Sequence, residues 1–294
     1  MSGSGERKTG VFGVVKRSVK EFSADDMLTY AAAVSYQVFF SLFPFLIFLL
    51  ALLGLLNIPG FFDWLLGQAD TVLPQQAAGL VRDIIGQVRS QASGGVFSFG
   101  AIIALYSASS AVRMAMHALN VAYDVEEERP AWKKFPLSLL YTLLLAALAI
   151  AAVGLILLGG RAAEWFAGLV GFGSLFVTLW TWLRIPVAIL LLTLILALVY
   201  YLFPNTKQPL RIITPGAVIA ILVWLAASLG FSFYVQNFGS YSATYGALAA
   251  VIVLLFYFFI SAAVLLFGAE INSEVYREVA EDGDGGGDGE KQSG

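Results

Sequence analysis

Residues Ile212 to Ala269 read IITPGAVIAILVWLAASLGFSFYVQNFGSYSATYGALAAVIVLLFYFFISAAVLLFGA, a run of 58 residues without one charged side chain, bounded by Arg211 and Glu270. A soluble domain could neither bury nor hydrate such a run. The hydrocarbon core of a bilayer is about 30 Å thick and takes about 20 apolar residues per helix. The run therefore predicts two membrane spans and the short turn between them. Backbone polar groups in lipid must be satisfied within their own segment, which makes the spans helical.

Charge-free stretches upstream predict four more spans. The six run from about Ala31 to Leu56, Val96 to His117, Ser138 to Leu158, Ile185 to Phe203, Ile212 to Tyr234 and Tyr245 to Ala269. The chain is 59% hydrophobic and only 13% charged, against about 25% charged in soluble domains. The expected fold is all-α: a polytopic membrane protein of six transmembrane helices plus interfacial amphipathic helices. Residues 1–30 are read as a cytoplasmic segment with an interfacial helix and 31–276 as the transmembrane domain. Residues 277–294, rich in Gly and Asp, are read as a disordered acidic cytoplasmic tail.

Lys and Arg concentrate on the cytoplasmic side of membrane proteins. With the N-terminus inside, that side holds 13 of the 17 Lys and Arg residues, and Arg82, Arg89, Arg161 and Arg184 lie outside. Both termini are expected in the cytoplasm. Membrane lipids are the expected partners. The basic residues are accounted for by this asymmetry and call for no nucleic acid.

Two segments read as interfacial. Phe12, Val15, Val19 and Phe22 share a helical face beside Lys16, Arg17 and Lys20, which suits an anionic leaflet. In the first outer loop, Ala77, Leu80, Val81, Ile84, Ile85 and Val88 follow a helical repeat after Pro74. Helix association in lipid relies on close packing. The second span, with Ser98, Gly100, Ala101, Ala104, Ser107 to Ala111 and Ala115, is therefore placed centrally, and the Leu-rich third and fourth spans peripherally. Pro44 removes a backbone hydrogen bond inside the first span and marks a bend or candidate hinge.

Catalytic chemistry has little to stand on. The chain has no Cys and one His, His117, so thiol chemistry and multi-His metal ligation are excluded, and no cofactor or metal is expected. His117 is read as capping a helix end. The carboxylates Asp124, Glu126, Glu127 and Glu128 stand beside Arg129, Lys133 and Lys134 and read as a solvated charge run. Phosphate-binding loop motifs are missing.

Several segments in order resemble the bacterial YihY/BrkB family, historically labelled ribonuclease BN-like. They are Ala31-Ala-Ala-Val-Ser-Tyr36, Ser41-Leu-Phe-Pro44, Tyr106-Ser-Ala-Ser-Ser110, Ala118-Leu-Asn120, Leu202-Phe-Pro-Asn205, Pro215-Gly216, Tyr245-Gly246 and Gly268-Ala-Glu-Ile-Asn272. The resemblance spans roughly residues 22 to 276 and implies a polytopic inner-membrane protein. Two functions fit the residues: movement of a lipid or other amphiphile, and a non-transport role as envelope scaffold or partner subunit. A ribonuclease, or any enzyme, is not expected. Arg113 and Glu270 fall at similar depth near the inner ends of two parallel spans. A charge at that depth needs a partner or a path to water, so the two are expected to pair, with Tyr36, Asn120 and Asn272 completing a cytoplasmic polar cluster.

Overall fold

The computed structural model describes residues 11–56, 66, 67, 82, 86, 94–170, 174–206, 213–237 and 247–285. These contain the helices α1 (Val11–Ala24), α2 (Met27–Leu56), α3 (Gly94–Ala122), α4 (Ala131–Val170), α5 (Ser174–Leu202), α6 (Pro215–Asn237) and α7 (Ala247–Gly285). Six of them, α2 to α7, are long and apolar enough to cross a membrane. No strand occurs among the described residues.

The small-residue span is α3, which packs chiefly on α2 and also touches α4 and α7. Ala104, Ala111, Ala115, Ala118 and Ala122 are buried along it, and their small side chains let the helices approach, the main source of adhesion in lipid. The last helix, α7, packs on α2, α6 and α1, while α4 and α5 pair mainly with each other.

The buried core lies at one end of the bundle. It takes Met27, Ala31 and Val34 from the start of α2 and Met116, Leu119 and Ala122 from the end of α3. It takes Tyr200 from the end of α5, Ala217 from the start of α6, and Leu266 and Ala269 from α7. Both α1 and the last turns of α7 sit at this end.

Two aspartates shape the turns there. Asp26, between α1 and α2, has φ 52°, and Asp124, just past α3, has φ 49°. Asp is among the few residues that tolerate this left-handed region. At Asp124 the chain closes α3 with two bonds. The Val125 N–H donates to the Asn120 carbonyl and the Asp124 N–H to the Val121 carbonyl, both at 2.9 Å. This is the two-bond Schellman pattern, with Asp in place of the usual Gly.

Two expectations are corrected here. The N-terminal helix docks on α7 rather than only resting on a leaflet. Val14 and Ser18 are its buried side chains, whereas Val19 is exposed, and Phe22 meets Phe267 edge-on at 5.8 Å. The inward face is therefore rotated from the one expected, because Ser18 closes its own hydroxyl on the Val14 carbonyl at 3.0 Å and packs like a small apolar residue. Second, α7 continues to Gly285, so the expected acidic tail starts as helix, held by ion pairs from Arg277 and Glu278. Pro44 lies inside the helix α2. The outer-loop segment Ala77 to Val88 lies outside the described residues except for Arg82 and Gly86.

Candidate functional site

Polar groups gather at the closed end in three clusters. The first is built where α6 crosses α7. A Cβ added to Gly216 would run into the Gly268 carbonyl oxygen and stand 2.6 Å from the Asn272 amide. One added to Gly268 would meet the Tyr200 hydroxyl, and would stand 2.8 Å from the Gly216 oxygen and 2.9 Å from Ala220 Cβ. Glycine is needed at both positions because the two backbones touch. The first turn of α6 leaves N–H groups without helical acceptors. Asn272 Oδ1 accepts the Gly216 N–H at 2.9 Å and Thr214 Oγ1 accepts the Ala217 N–H at 3.2 Å. From α5, the Tyr200 hydroxyl donates to the Leu265 carbonyl at 2.9 Å. Tyr123, just past α3, is buried beside this crossing. Burial pushes its hydroxyl well above the ordinary phenol range, the Asn272 amide opposes the shift, and the Glu270 charge adds to it.

The second cluster ties the α3–α4 loop to the end of α5. Asn120 is buried. Its carbonyl oxygen accepts the Asn205 N–H at 2.7 Å, and its amide donates to Glu127 Oε2 at 3.1 Å. Arg129 bonds Glu127 Oε1 at 2.6 Å and the Phe203 carbonyl at 2.8 Å, and Lys134 adds an ion pair to Glu127 at 3.3 Å. Burial would raise the Glu127 carboxyl, but the Arg129 bonds and charge outweigh it, helped by Lys134, and hold it below the usual carboxylate range. Glu127 was expected in a solvated charge run. It is instead the hub of a partly buried network, because the left-handed turn at Asp124 folds the loop back over α5.

The third cluster lies between α7, α1 and the α3 end. Arg17 bonds Glu274 at 2.7 Å and Arg277 pairs with Asp124. Glu270 is 1% exposed. The acids Asp25, Glu21 and Glu274 act on its charge, and its Oε1 has no hydrogen-bond partner. Asp25, in the α1–α2 turn, is pushed above the usual carboxylate range by burial and by Glu21, against the opposing charge of Arg277. Among the described residues, no group of three or more His, Cys, Asp or Glu side chains is arranged to hold a metal.

The expected Arg113–Glu270 pair does not form. Arg113 donates to Ser109 at 2.8 Å and to Ser138 at 3.1 Å, and its guanidinium lies over the rings of Tyr106 and Phe135 at 5.6 and 5.2 Å. It faces α4, whereas Glu270 faces the α1 side of α7. Depth alone did not distinguish those faces. Glu270 and Asn272 also part company: two residues turn an α-helix by about 200°, which sends Asn272 to α6. Tyr36 lies outside all three clusters, 53% exposed with its ring on Phe40 at 4.4 Å. We predict that the stability losses of Arg113→Ala and Glu270→Ala add within about 0.3–0.5 kcal/mol, as for sites with no shared partner. Arg113→Ala and Ser138→Ala should not add. Thermal unfolding in detergent checks both, and strong coupling of Arg113 to Glu270 would restore the pair.

Further along the spans, polar groups bridge the helices. Ser110 donates to Gln37 at 2.9 Å, the Trp224 N–H donates to Ser261 at 3.0 Å, and Ser228 and Tyr257 share a bond at 3.1 Å. Trp224 is thus packed with its N–H satisfied, and His117 stacks edge-on against Tyr30.

These features define a multi-pass all-α membrane protein with a polar cap at one end. The chain belongs to the family described as virulence factor BrkB, whose model matches residues 18–292. The ribonuclease-like protein YfkH of Bacillus subtilis is 35% identical over 247 residues, covering 84% of this chain and 89% of that protein. UPF0761 membrane proteins of Xanthomonas campestris and Xanthomonas axonopodis are 26% identical over 268 residues, 87% of this chain but 59% of theirs. No solved structure matches the chain.

Proposed function

We propose that this protein moves a lipid or other amphiphile through a bacterial inner membrane, without catalysis of its own, and that the closed end faces the cytoplasm. The observation that supports this reading most is the one-sided packing. In the described side chains of α5 from 178 to 196, of α6 from 222 to 235 and of α7 from 248 to 261, none is fully buried, while the other ends of the same helices are sealed. A carrier that alternates between two sides needs one end shut while the other is free to rearrange. The seal here is built from the glycine crossing, the Arg17–Glu274 and Arg277–Asp124 pairs, and the docked α1. Glu270 gives the seal a buried acid through which proton uptake could couple to its release. Pro44 gives α2 a place to bend, since the carbonyl one turn back has no N–H to bind.

Proteoliposomes with fluorescent phospholipid test the transport. A membrane-impermeant reductant bleaches the outer leaflet alone unless lipid crosses. Bleaching beyond that share, with phosphatidylethanolamine, phosphatidylglycerol or a lysolipid, is the expected result. Bleaching that stops at the protein-free level with all three, from protein that is well dispersed, overturns the reading and leaves the scaffold role.

A further inference from the structure

Arg113 carries its charge within the span Phe99–Ala122, with no acid to balance it. Its guanidinium bears five N–H groups. Nη1 donates to Ser109 Oγ at 2.8 Å and to Ser138 Oγ at 3.1 Å. Among the described residues no carboxylate pairs with it, and Nε and Nη2 have no partner. Neither of those two atoms is sealed from the surface. The rings of Tyr106 and Phe135 flank the guanidinium at 5.6 and 5.2 Å. A ring face attracts a cation but does not neutralise it. Both residues open outwards, Tyr106 being 58% and Phe135 41% exposed. A charge in a span is costly unless it meets an opposite charge or water, and such residues mark ligand pathways.

The position of the guanidinium narrows the occupant. Helix side chains lean towards the N-terminus, which turns this charge away from the closed end and onto Ser109. The neighbouring Ser110 bonds Gln37, which stands ten residues past the start of α2, about 15 Å of helix. An anion that reaches this level needs an apolar part that keeps it in the bilayer. The protein offers such a part a track: Phe99, Ile102 and Tyr106 continue the Arg113 face of α3 and are exposed. Towards the closed end, Ser138 follows the exposed Lys133 by five residues of α4, and Lys133 Nζ lies over the Trp132 ring at 5.0 Å. Trp settles at the headgroup level of a membrane, so cations lead from that level to Arg113.

We propose that Arg113 binds the phosphate of a phospholipid that enters beside α3 and α4 from the headgroup layer at the closed end, with acyl chains along Tyr106, Ile102 and Phe99. Nε and Nη2 form one edge of the guanidinium and present the paired donors that fit two phosphate oxygens. Ser109 and Ser138 fix that edge by holding Nη1. This deepens the transport reading, on which its role in movement rests, by giving the moving lipid a phosphate and an anchor. Occupancy itself does not require transport.

Native mass spectrometry of the delipidated full chain, titrated with diacyl phosphatidylglycerol or with diacylglycerol of the same chains, tests it. Wild type should retain phosphatidylglycerol about tenfold more tightly, the factor of a charged hydrogen bond. Arg113→Gln should erase that preference. Arg113→Lys keeps the charge but not the fork and should keep part of it. Lys20→Gln removes an exposed charge of α1 at the same end and should leave the preference in place. Equal retention of the two lipids by wild type, a preference that survives Arg113→Gln, or an equal loss with Lys20→Gln overturns the proposal. Wild type gives a second reading that needs no variant to fold. Phosphatidylglycerol with a photoreactive headgroup should label peptides that hold Tyr106 to Arg113 or Trp132 to Ser138, and label confined to other peptides overturns the site. Glycerol 3-phosphate that displaces the lipid at equal concentration would overturn the assignment to a lipid. A delipidated chain whose dimer takes up no phosphatidylglycerol would give the face to a second copy. Phosphate preference without lipid movement in vesicles would sink the transport reading and keep the site. Lipid movement without the preference would do the reverse.

Discussion

Gly216→Leu is expected to leave no stable, well-dispersed protein, and Gly216→Ala to lower the melting temperature clearly. Even a methyl group at this position collides with the Gly268 carbonyl and the Asn272 side chain. Those neighbours are helix backbone and a hydrogen-bonded amide, so neither moves cheaply. Overpacking of this kind costs about 1–3 kcal/mol and occasionally more, and loss of the Asn272–Gly216 bond adds to it. Gly268→Ala should behave alike, since its added methyl meets the Tyr200 hydroxyl and the Gly216 backbone. Gly230, in the same helix α6, supplies the control. A Cβ there meets nothing within 4 Å, so Gly230→Ala should be neutral or stabilising by up to about 1 kcal/mol. Thermal unfolding in detergent reads all of these. A Gly216→Ala variant that melts with wild type would mean that the helices do not touch there.

Asn120→Leu is expected to have the next largest effect. The substitution fits the volume of a buried site but takes the acceptor from the Asn205 N–H and a donor from Glu127. A buried donor left unsatisfied costs about 1–3 kcal/mol. Glu127 keeps Arg129 and Lys134, so its own loss is smaller. The loop should loosen from the end of α5, and cleavage after Glu128 by a glutamate-specific protease should accelerate severalfold while α3 and α5 stay intact. Glu127→Gln tests the same network from its other side and should accelerate cleavage less, because Asn120 still holds Asn205. Identical cleavage of Asn120→Leu and wild type would show that the loop is held by something else.

The membrane spans were legible because they depend on a one-dimensional property. Charge-free length fixes a helix in lipid whatever its neighbours are, and six such lengths appear both in the sequence and among the described helices. The central place of the second span was legible for a related reason, as small residues are useful only where helices meet. Site residues were partly legible. Asn120, Glu270 and Asn272 are buried, but each stands in a different cluster. Their partners were not legible. The Arg113–Glu270 expectation used depth, which sequence reports, but pairing also needs azimuth, which depends on how each helix is rotated about its axis. Glu127 was misread because a charge run shows its full solvation only when the turn that follows α3 is known, and that turn uses Asp124 in a conformation usually given to glycine.

By itself, then, the sequence determined a six-span all-α membrane protein, since hydrophobic length and charge placement act on each segment separately. Only the tertiary structure decided that Gly216 and Gly268 touch, that Asn272 caps one helix, and that Glu270 sits among acids. Those facts depend on the rotation and crossing of helices far apart in the chain. In lipid, close packing and interhelical hydrogen bonds set these, and apolar pattern does not.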